Sequence, residues 1–298
     1  MKKTLSTLFI LGALFFAGCN DEGKGSSNSA QGSAAPQSYI DGVKKRGVVR
    51  IAVFGDKPPF GYIDETGKNA GYDVYFAKRI AKELLGDESK VQFVLVEAAN
   101  RAEFLASDKV DITLANFTVT PERKEVVDFA LPYMKVALGV ASKDGDITDV
   151  SQLKDKTLLI NKGTTADLYF TKNHPEIKLL KFDQNTETFG AMLDGRGDAI
   201  AHDNTLLFAW TKSNPGFKVG IRSLGDQDVI APAVKKGNDE LRKWLDDLIV
   251  KLADEKFFHA DYDATLAPVY GDDIKADDVA SIDLIEHFQK VKFLRDKQ

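Results

Sequence analysis

Two charged side chains in this sequence could together bind a small ligand that carries both a carboxylate and an ammonium group. Arg123 lies in the stretch 118–123, TVTPER, and its rigid guanidinium fork suits a carboxylate. Asp203 follows an apolar stretch, 198–201, and its carboxylate could accept an ammonium group. Because a buried carboxylate and a buried ammonium each need a charged or dipolar partner, this pair would suit a free amino acid.

Both residues also have an ordinary structural interpretation. Arg123 could be a surface arginine that pairs with Glu122 or Glu125, and Asp203 could cap a helix that begins just after it. One carboxylate oxygen of Asp203 could cap the helix while the other faces a ligand. The adjacent His202 could orient the site or act as a general base, and we favour the orienting role.

Neutral residues near these charges could complete such a site. Thr118 and the N–H groups of its turn could add donors, and Thr165, at a predicted helix start, could add another N–H group. Candidates for polar contact with the ligand side chain are Asn100, Arg101 and Asn116. Candidates for the walls are Phe54, Phe60 and Tyr62, although Phe60 and Tyr62 could equally belong to a hydrophobic core.

Composition argues against several other classes of function. The 298 residues include 40 Lys and Arg against 45 Asp and Glu, a net charge of −5, with the two signs intermixed. Nucleic-acid-binding proteins normally concentrate basic residues on one face. One cysteine and four scattered histidines argue against a disulfide framework, a zinc or iron–sulfur site and a metal enzyme. The sequence has no G-x-S-x-G elbow, P-loop or G-x-G-x-x-G motif, and we expect no cofactor.

The single cysteine, Cys19, ends a segment typical of an export signal. Two lysines precede an apolar stretch, 5–16, that is shorter than the roughly 20 residues of a membrane span. The order FAGC at 16–19 resembles the lipobox of bacterial lipoproteins, in which the cysteine is acylated and becomes the mature N-terminus. We therefore predict a signal peptide at 1–18 and lipidation at Cys19. The alternative is a secretory peptide with an incidental cysteine.

The residues that follow, 19–38, are predicted to form a flexible tether. They are rich in Ser, Gly, Ala, Asn and Gln, and they cannot bury enough apolar surface to fold. A flexible chain of this length reaches on the order of 25 Å. A folded body could therefore stand off a membrane while remaining close to it.

Short apolar strands alternate with amphipathic helices from Tyr39 onward. The first cycle has predicted strands at 48–53, 91–96 and 110–115 and helices at 72–85 and 101–107. The second has an extended run at 135–140, a short helix at 150–153, strands at 157–160, 179–182 and 198–201, and helices at 165–173, 187–194 and 205–212. Another extended run, 229–234, precedes a long helix at 239–252. This alternation favours βαβ units and mostly parallel sheets, in two domains joined by two extended crossings.

Several motifs, in this order, resemble the polar amino-acid receptors of bacterial ABC transporters, solute-binding family 3. They are FGDKPPFGY at 54–62, GYD at 71–73, TVTPER at 118–123, VDFALPY at 127–133, KGTT at 162–165 and HD at 202–203. The resemblance covers about 39–270 and is greatest to the cysteine-binding lipoproteins of epsilonproteobacteria.

The resemblance implies an α/β architecture, the two-lobe periplasmic-binding-protein-like II fold. In this fold two mixed sheets flanked by helices are joined by two hinge strands, here near 136–138 and 228–231. Lobe 1 would comprise 39–136 and 229–298, including the C-terminal helices, and lobe 2 would comprise 138–227. The segment 281–298 lies beyond the resemblance, and its residues Ile282, Ile285 and Phe288 predict a helical face that packs on lobe 1 or a partner.

The function that this resemblance implies is that of a periplasmic, lipid-anchored, monomeric receptor. It would bind a small polar amino acid, with cysteine favoured, close its lobes, and deliver the ligand to the permease of an ABC importer. Many relatives that take larger amino acids have an aromatic residue where this chain has Ala99. The ligand-binding residues that we predict are Arg123, Asp203, Thr118, Thr165, Asn116, Phe54, Phe60, Lys162 and His202.

Two alternatives use the same kind of fold. Some periplasmic relatives are cyclohexadienyl or arogenate dehydratases, which need a positioned proton donor. They carry Glu shortly after the Gly-Thr turn of lobe 2, where this chain has Ala166 and then Asp167. The other alternative is the sensing domain of a membrane receptor, for which the sequence shows no transmembrane helix or signalling domain. We therefore predict a binding protein and not an enzyme.

Overall fold

The computed structural model describes residues 38–283 and 285–286. The predicted signal peptide, Cys19, nearly all of the predicted tether and Phe288 lie outside these residues. In the described part, no helix is both long and apolar enough to cross a membrane.

Helices and strands alternate along the described chain. The first part contains, in order, α1 (Tyr39–Arg46), β1 (Val49–Val53), β2 (Asp56–Lys57), β3 (Gly61–Ile63), β4 (Asn69–Ala70), α2 (Tyr72–Leu85), β5 (Val91–Leu95), α3 (Arg101–Ala106), β6 (Ile112–Thr113), α4 (Pro121–Lys124) and β7 (Val127–Phe129). The second part contains β8 (Met134–Lys143), β9 (Thr157–Asn161), α5 (Thr165–Asn173), β10 (Lys178–Phe182), α6 (Asn185–Leu193), β11 (Ala199–Asp203), α7 (Asn204–Ser213) and β12 (Phe217–Ile230). The last part contains β13 (Ala233–Lys235), α8 (Asp239–Asp254), α9 (Phe257–Thr265), α10 (Ala267–Tyr270) and α11 (Ala276–Val279). Single 3-10 turns lie at Glu88–Lys90, Ala98–Asn100, Val150–Leu153 and Gly271–Asp273.

The first lobe is built around a five-stranded sheet in the order β5-β1-β6-β13-β7. Strands β5, β1 and β6 are parallel, whereas β13 is antiparallel to both of its neighbours. The predicted strand 110–115 is shorter in the structure, where only Ile112 and Thr113 belong to β6. Only those two residues pair with β13. Backbone hydrogen bonds to β1 continue on either side of them, from the N–H groups of Asp111 and Leu114.

The second lobe is built around a sheet in the order β10-β9-β11-β8-β12. Its first three strands are parallel, and β8 and β12 are antiparallel additions. The structure therefore has the predicted α/β fold with two mixed five-stranded sheets. The apolar residues at helical spacing in α2, among them Val74, Ile80 and Leu84, are buried, as their spacing predicts.

Strands β8 and β12 carry the chain between the two lobes. Their outer ends pair Met134 with Ile230 and Val136 with Asp228, and Ile230 also bridges to Thr118 of the first lobe. The sequence did not predict most of β12, because this edge strand is largely exposed or half-buried and lacks an apolar alternation. The extended run predicted at 229–234 is divided between β12 and β13.

The C-terminal helices pack mainly on the first lobe but also reach the second. Helix α9 contacts α2, where Phe76 packs edge-on against Phe258. Helix α10 contacts α7 of the second lobe, and the Tyr270 hydroxyl donates to the Thr205 carbonyl at 2.8 Å. This buried hydroxyl therefore finds its acceptor across the lobe boundary rather than within the first lobe.

The segment after α11 packs against the first crossing strand. Ala280 bridges to Met134, and the Ser281 hydroxyl donates to the Pro132 carbonyl at 2.7 Å. Ile285 is fully buried. The described part of the predicted apolar face thus belongs to the core of this chain.

Asp73, in the first turn of α2, is a buried acid beneath the region where the lobes meet. Its Oδ1 accepts a 2.6 Å hydrogen bond from the Tyr133 hydroxyl, and its Oδ2 has no hydrogen-bond partner among the described residues. Burial raises the pKa of Asp73 to about 7. Since this value exceeds the pKa of about 3.9 in an unfolded chain, ionisation of Asp73 destabilises the fold as the pH rises between those values.

We expect Asp73→Asn to raise the melting temperature at pH 8 by about 2 °C or more, because asparagine keeps the acceptor for Tyr133 without a buried charge. The gain should shrink toward pH 4, where Asp73 is already neutral. Thermal denaturation from pH 4 to 8 checks this, with the exposed Asp194→Asn as control. An equal effect at both ends of the range would contradict the account.

Candidate functional site

The two lobes meet at a buried ion pair. Lys57 is the last residue of β2 in the first lobe, and Asp203 is the last residue of β11 in the second. Lys57 Nζ lies 2.7 Å from Asp203 Oδ2 and donates a second 2.7 Å hydrogen bond to Asn116 Oδ1. The two residues are only 2% and 5% exposed, so this contact is withdrawn from water.

Aromatic rings surround the lysine. Lys57 Nζ lies 5.3 Å from the centroid of Phe54 and 5.7 Å from that of Phe60. Both rings are buried, and at these distances their faces attract a cation. Two of the three candidate wall residues, Phe54 and Phe60, therefore lie against the ammonium group of Lys57.

A pair of buried arginines lies beside this contact. Arg123 donates from Nη1 to the Thr118 carbonyl at 2.7 Å and from Nη2 to the Gly163 carbonyl at 2.9 Å. Arg101 donates to the same Gly163 carbonyl at 3.1 Å. Both guanidinium groups pack on the ring of Phe117, at 4.8 and 4.3 Å from its centroid. The carbonyl of Gly163, in the second lobe, thus accepts hydrogen bonds from both arginines of the first lobe.

Burial and the opposed charges control ionisation in this cluster. Burial alone would raise the pKa of Asp203, but Lys57 and His202 hold it well below its ordinary range. Burial lowers the pKa of Lys57, and Asp203 opposes this effect. Burial lowers the pKa of Arg123 to about 10, so its guanidinium remains charged at neutral pH. Burial and the neighbouring Arg123 lower the pKa of Arg101.

His202 contacts both the backbone and the side chain of Asp203, and its Nδ1 lies 3.5 Å from Asp203 Oδ2. Its Nδ1 accepts a 2.7 Å hydrogen bond from the Asp203 N–H, and its Nε2 has no hydrogen-bond partner among the described residues. Burial and then Lys57 lower the pKa of His202, which favours a neutral ring. The imidazole also stacks on Phe189. These contacts fix the position of Asp203 at the end of β11.

Two threonines lie at the edges of the cluster. Thr165 begins α5, and its hydroxyl lies 3.5 Å from Asp203 Oδ1. Thr118 is buried and presents its carbonyl to Arg123. Asn116 receives Lys57 and occupies the left-handed region, with φ +48°, where the chain turns after β6.

The side chain of Lys162, a predicted ligand-binding residue, lies away from the buried cluster. It is exposed, and its Nζ contacts Asp183 Oδ2 at 2.9 Å. The KGTT motif reaches the cluster through the next residue, Gly163, whose carbonyl faces the arginines. A sequence motif does not distinguish a side-chain contact from a contact made by the backbone of its neighbour.

Lys57 is the site residue that sequence reasoning did not assign. It lies in the motif FGDKPPFGY, at 54–62, which by itself does not indicate what the lysine contacts. A lysine between aromatic and proline residues could have indicated this role. If such an apolar segment is buried, its cation requires a polar or charged partner. Its neighbour Asp56 also bridges the lobes, accepting from the N–H groups of Asn185 and Thr186 at the start of α6 at 2.7 and 3.3 Å.

The described residues contain no group of three or more His, Cys, Asp or Glu side chains that could hold a metal ion. The cluster offers hydrogen-bonding groups and charges of both signs. Its guanidinium fork, carboxylate and hydroxyl groups can bind a ligand carboxylate and a ligand ammonium group at opposite sides of the lobe boundary.

Gly163 of the second lobe lies close against the backbone of Ala99 in the first lobe. Its φ is +72°, and a Cβ there would lie 2.6 Å from the Ala99 Cα and 2.8 Å from the Ala99 backbone nitrogen. We expect Gly163→Ala to hold the lobes apart and to give a larger radius of gyration by small-angle X-ray scattering. Gly67→Ala is the matched control, since Gly67 has φ +79° but no atom near its Cβ position. If both variants are as compact as the parent, the contact with Ala99 does not limit closure.

Comparison with known proteins connects this site to a family. The bacterial extracellular solute-binding proteins, family 3, match residues 49–263. A cysteine-binding protein of Campylobacter jejuni is 68% identical, with a TM-score of 0.81, over 82% of this chain and 99% of that one. A solute receptor for L-cysteine of Neisseria gonorrhoeae is 60% identical, with a TM-score of 0.80, over 81% of this chain and 99% of that one.

A glutamine-binding protein of Geobacillus stearothermophilus is 34% identical over 224 residues, which is 72% of this chain and 85% of the relative. All three relatives are binding proteins rather than enzymes. The chain belongs to the bacterial extracellular solute-binding proteins, family 3.

Proposed function

We propose that this protein is the extracytoplasmic receptor of an amino-acid ABC importer and that its ligand is cysteine. The observation that carries the proposal is the buried cluster at the lobe boundary, where Arg123 of one lobe and Asp203 of the other offer opposite charges to a zwitterion. The identities of 60–68% to two cysteine-binding proteins support cysteine as the ligand.

Each charged group of the ligand would take over a hydrogen bond that a group of this chain now makes. Arg123 Nη2 now donates to the Gly163 carbonyl, and a ligand carboxylate would take the place of that carbonyl with stronger, charge-assisted hydrogen bonds. Asp203 now receives the Lys57 ammonium, and the ligand ammonium would share or replace that contact. The Thr165 hydroxyl and the Thr118 turn lie where they could add further hydrogen bonds.

Lobe closure would couple binding to delivery. The outer ends of β8 and β12 form the connection about which the lobes could rotate. An opened cleft would expose Arg123 on one lobe and Asp203 on the other, and closure on the ligand would bring them together again. A permease that contacts both lobes could then distinguish the closed state from the open state.

The dehydratase alternative lacks its proton donor. Asp167 is the carboxyl group near the position expected for that role, and it contacts Lys181 Nζ at 2.5 Å and the Gly163 N–H at 2.9 Å. Burial would raise the pKa of Asp167, but these contacts hold it below its ordinary value. An ionised carboxylate of this kind is a poor general acid.

The direct test of this function is calorimetric titration of the folded protein with cysteine and other free amino acids. Arg123→Ala and Asp203→Ala should each weaken cysteine binding at least about tenfold, because each leaves a ligand charge without its partner. Asp203→Asn keeps the shape of the site and should weaken binding as well. The matched controls are Arg196→Ala and Asp194→Ala, two exposed residues outside the cluster.

Binding that is unchanged in both site variants would contradict the assigned site. If cysteine does not bind while another amino acid does, the receptor function stands with a different ligand. Melting curves of each variant establish that a loss of binding is not a loss of folding.

Lipid anchoring through Cys19 is the second part of the proposal, and it rests on the sequence alone. We expect Cys19→Ser to abolish incorporation of labelled fatty acid and to release the protein from the membrane fraction of expressing cells. Ser26→Ala, a change within the predicted tether, is the control. Equal labelling of Cys19→Ser and the parent chain would contradict lipidation at this residue.

A further inference from the structure

The start of helix α6 in the second lobe is held by a side chain of the first lobe. Asp56 Oδ2 accepts hydrogen bonds from the backbone N–H groups of Asn185 and Thr186, at 2.7 and 3.3 Å. Asp56 Oδ1 accepts a third, at 3.0 Å, from the side-chain amide of Asn185. One carboxylate of the first lobe thus binds the first two residues of a helix that belongs to the second.

A cap of this kind normally comes from the residue just before the helix. The first N–H groups of a helix have no partner within it, and Ser, Thr, Asp or Asn at the preceding position usually accepts from them. Helix α5 of the same lobe follows this rule, since the Thr164 hydroxyl accepts from the Asp167 N–H at 3.2 Å. Helix α6 is preceded by Gln184, which is not a preferred capping residue and whose amide is directed to Glu97 of the first lobe at 3.5 Å. The first lobe therefore supplies to α6 what Thr164 supplies to α5.

The position of Asp56 in the chain connects this cap to the buried cluster. Asp56 and Lys57 are the two residues of β2, and successive side chains of a strand point to opposite faces. Lys57 contacts Asp203 at the end of β11, whereas Asp56 contacts the start of α6. A rotation of the lobes that separates Lys57 from Asp203 therefore also draws Asp56 away from α6.

The contact between Asp56 and α6 favours the closed arrangement of the lobes. A carboxylate at the start of a helix meets the positive end of the helix dipole as well as the free N–H groups. Hydrogen bonds from these donors to a carboxylate are stronger than those between neutral groups. When the lobes separate, water takes the place of these partners on both sides, and the contribution to closure is lost.

We propose that Asp56 is a latch that holds the lobes closed and thereby sets how long the ligand stays bound. The inference rests on the proposed function, in which the lobes open and close around an amino acid. Asp56 is a positioning residue in this account, because it holds α6 and not the ligand. Since the ligand enters between open lobes, the latch would slow dissociation and leave association unchanged.

Stopped-flow measurement of cysteine association and dissociation tests the latch. The signal is tryptophan fluorescence, to which Trp210 contributes beside Phe189 of α6. Asp56→Ala should raise the dissociation rate constant about fivefold, the usual effect of a lost side-chain cap on an equilibrium, and leave the association rate constant unchanged. Asp56→Asn keeps one acceptor oxygen and should give a smaller rise. The matched control is Glu65→Ala, which removes an exposed acid from the turn between β3 and β4 and should change neither rate constant.

A cap placed within the second lobe separates the latch from a simple role in helix stability. Gln184→Ser, added to Asp56→Ala, lets residue 184 cap α6 from its own lobe. This second change should restore any melting temperature that Asp56→Ala loses, but dissociation should stay fast. If the double variant recovers slow dissociation, a stable α6 is sufficient and the latch is overturned. Unchanged dissociation in Asp56→Ala alone also overturns it.

Failure of the latch and failure of the proposed function give different results. If the parent chain binds cysteine and Asp56→Ala dissociates at the same rate, the receptor function stands without the latch. If another amino acid binds in place of cysteine, the same rate constants are measured with that ligand. If no free amino acid binds, the proposed function is wrong, and the latch is tested by small-angle X-ray scattering of the chain alone. Asp56→Ala should then have a larger radius of gyration than the parent and Glu65→Ala, and equal radii would overturn the latch.

Discussion

The buried contact between Lys57 and Asp203 joins the lobes through charges that have been removed from water. Removing either partner alone would leave an uncompensated charge in the lobe boundary, which costs far more than the pair contributes. Such a contact is therefore poorly suited to simple stabilisation and well suited to a boundary that opens and closes. When the lobes separate, each charge regains water, and when they close, each requires a partner.

The fold supplies this boundary with rigid supports on both sides. Asp203 ends the central parallel part of the second sheet, where side chains at the carboxyl ends of strands point into the cleft. Arg123 is held by a short helix whose cap is Thr120, and its guanidinium is fixed on Phe117. Gly163 brings the second lobe within reach because nothing larger than hydrogen fits against Ala99. The charged cluster and the close contact between Gly163 and Ala99 therefore lie in the same part of the lobe boundary.

Much of this arrangement could be predicted from the sequence, and the failures have physical causes. Helices α2 and α5 have the predicted bounds, since their apolar spacing and end residues agree with their burial. Strand β12 was largely missed because an exposed edge strand has no apolar pattern to detect. Arg123 and Asp203 could be proposed as ligand-binding residues because both lie in motifs that carry the family resemblance, TVTPER and HD. Lys57 could not be assigned its role in this way, since that role depends on a partner 146 residues away in the chain.

A crystal structure of the complex with cysteine would show which side chains hold the two charged groups of the ligand. We expect closed lobes, with the cysteine carboxylate on the Arg123 guanidinium in place of the Gly163 carbonyl and the ammonium group within hydrogen-bond distance of Asp203. Cysteine bound elsewhere, with the contacts of Arg123 to Gly163 and of Lys57 to Asp203 unchanged, would contradict the assigned site.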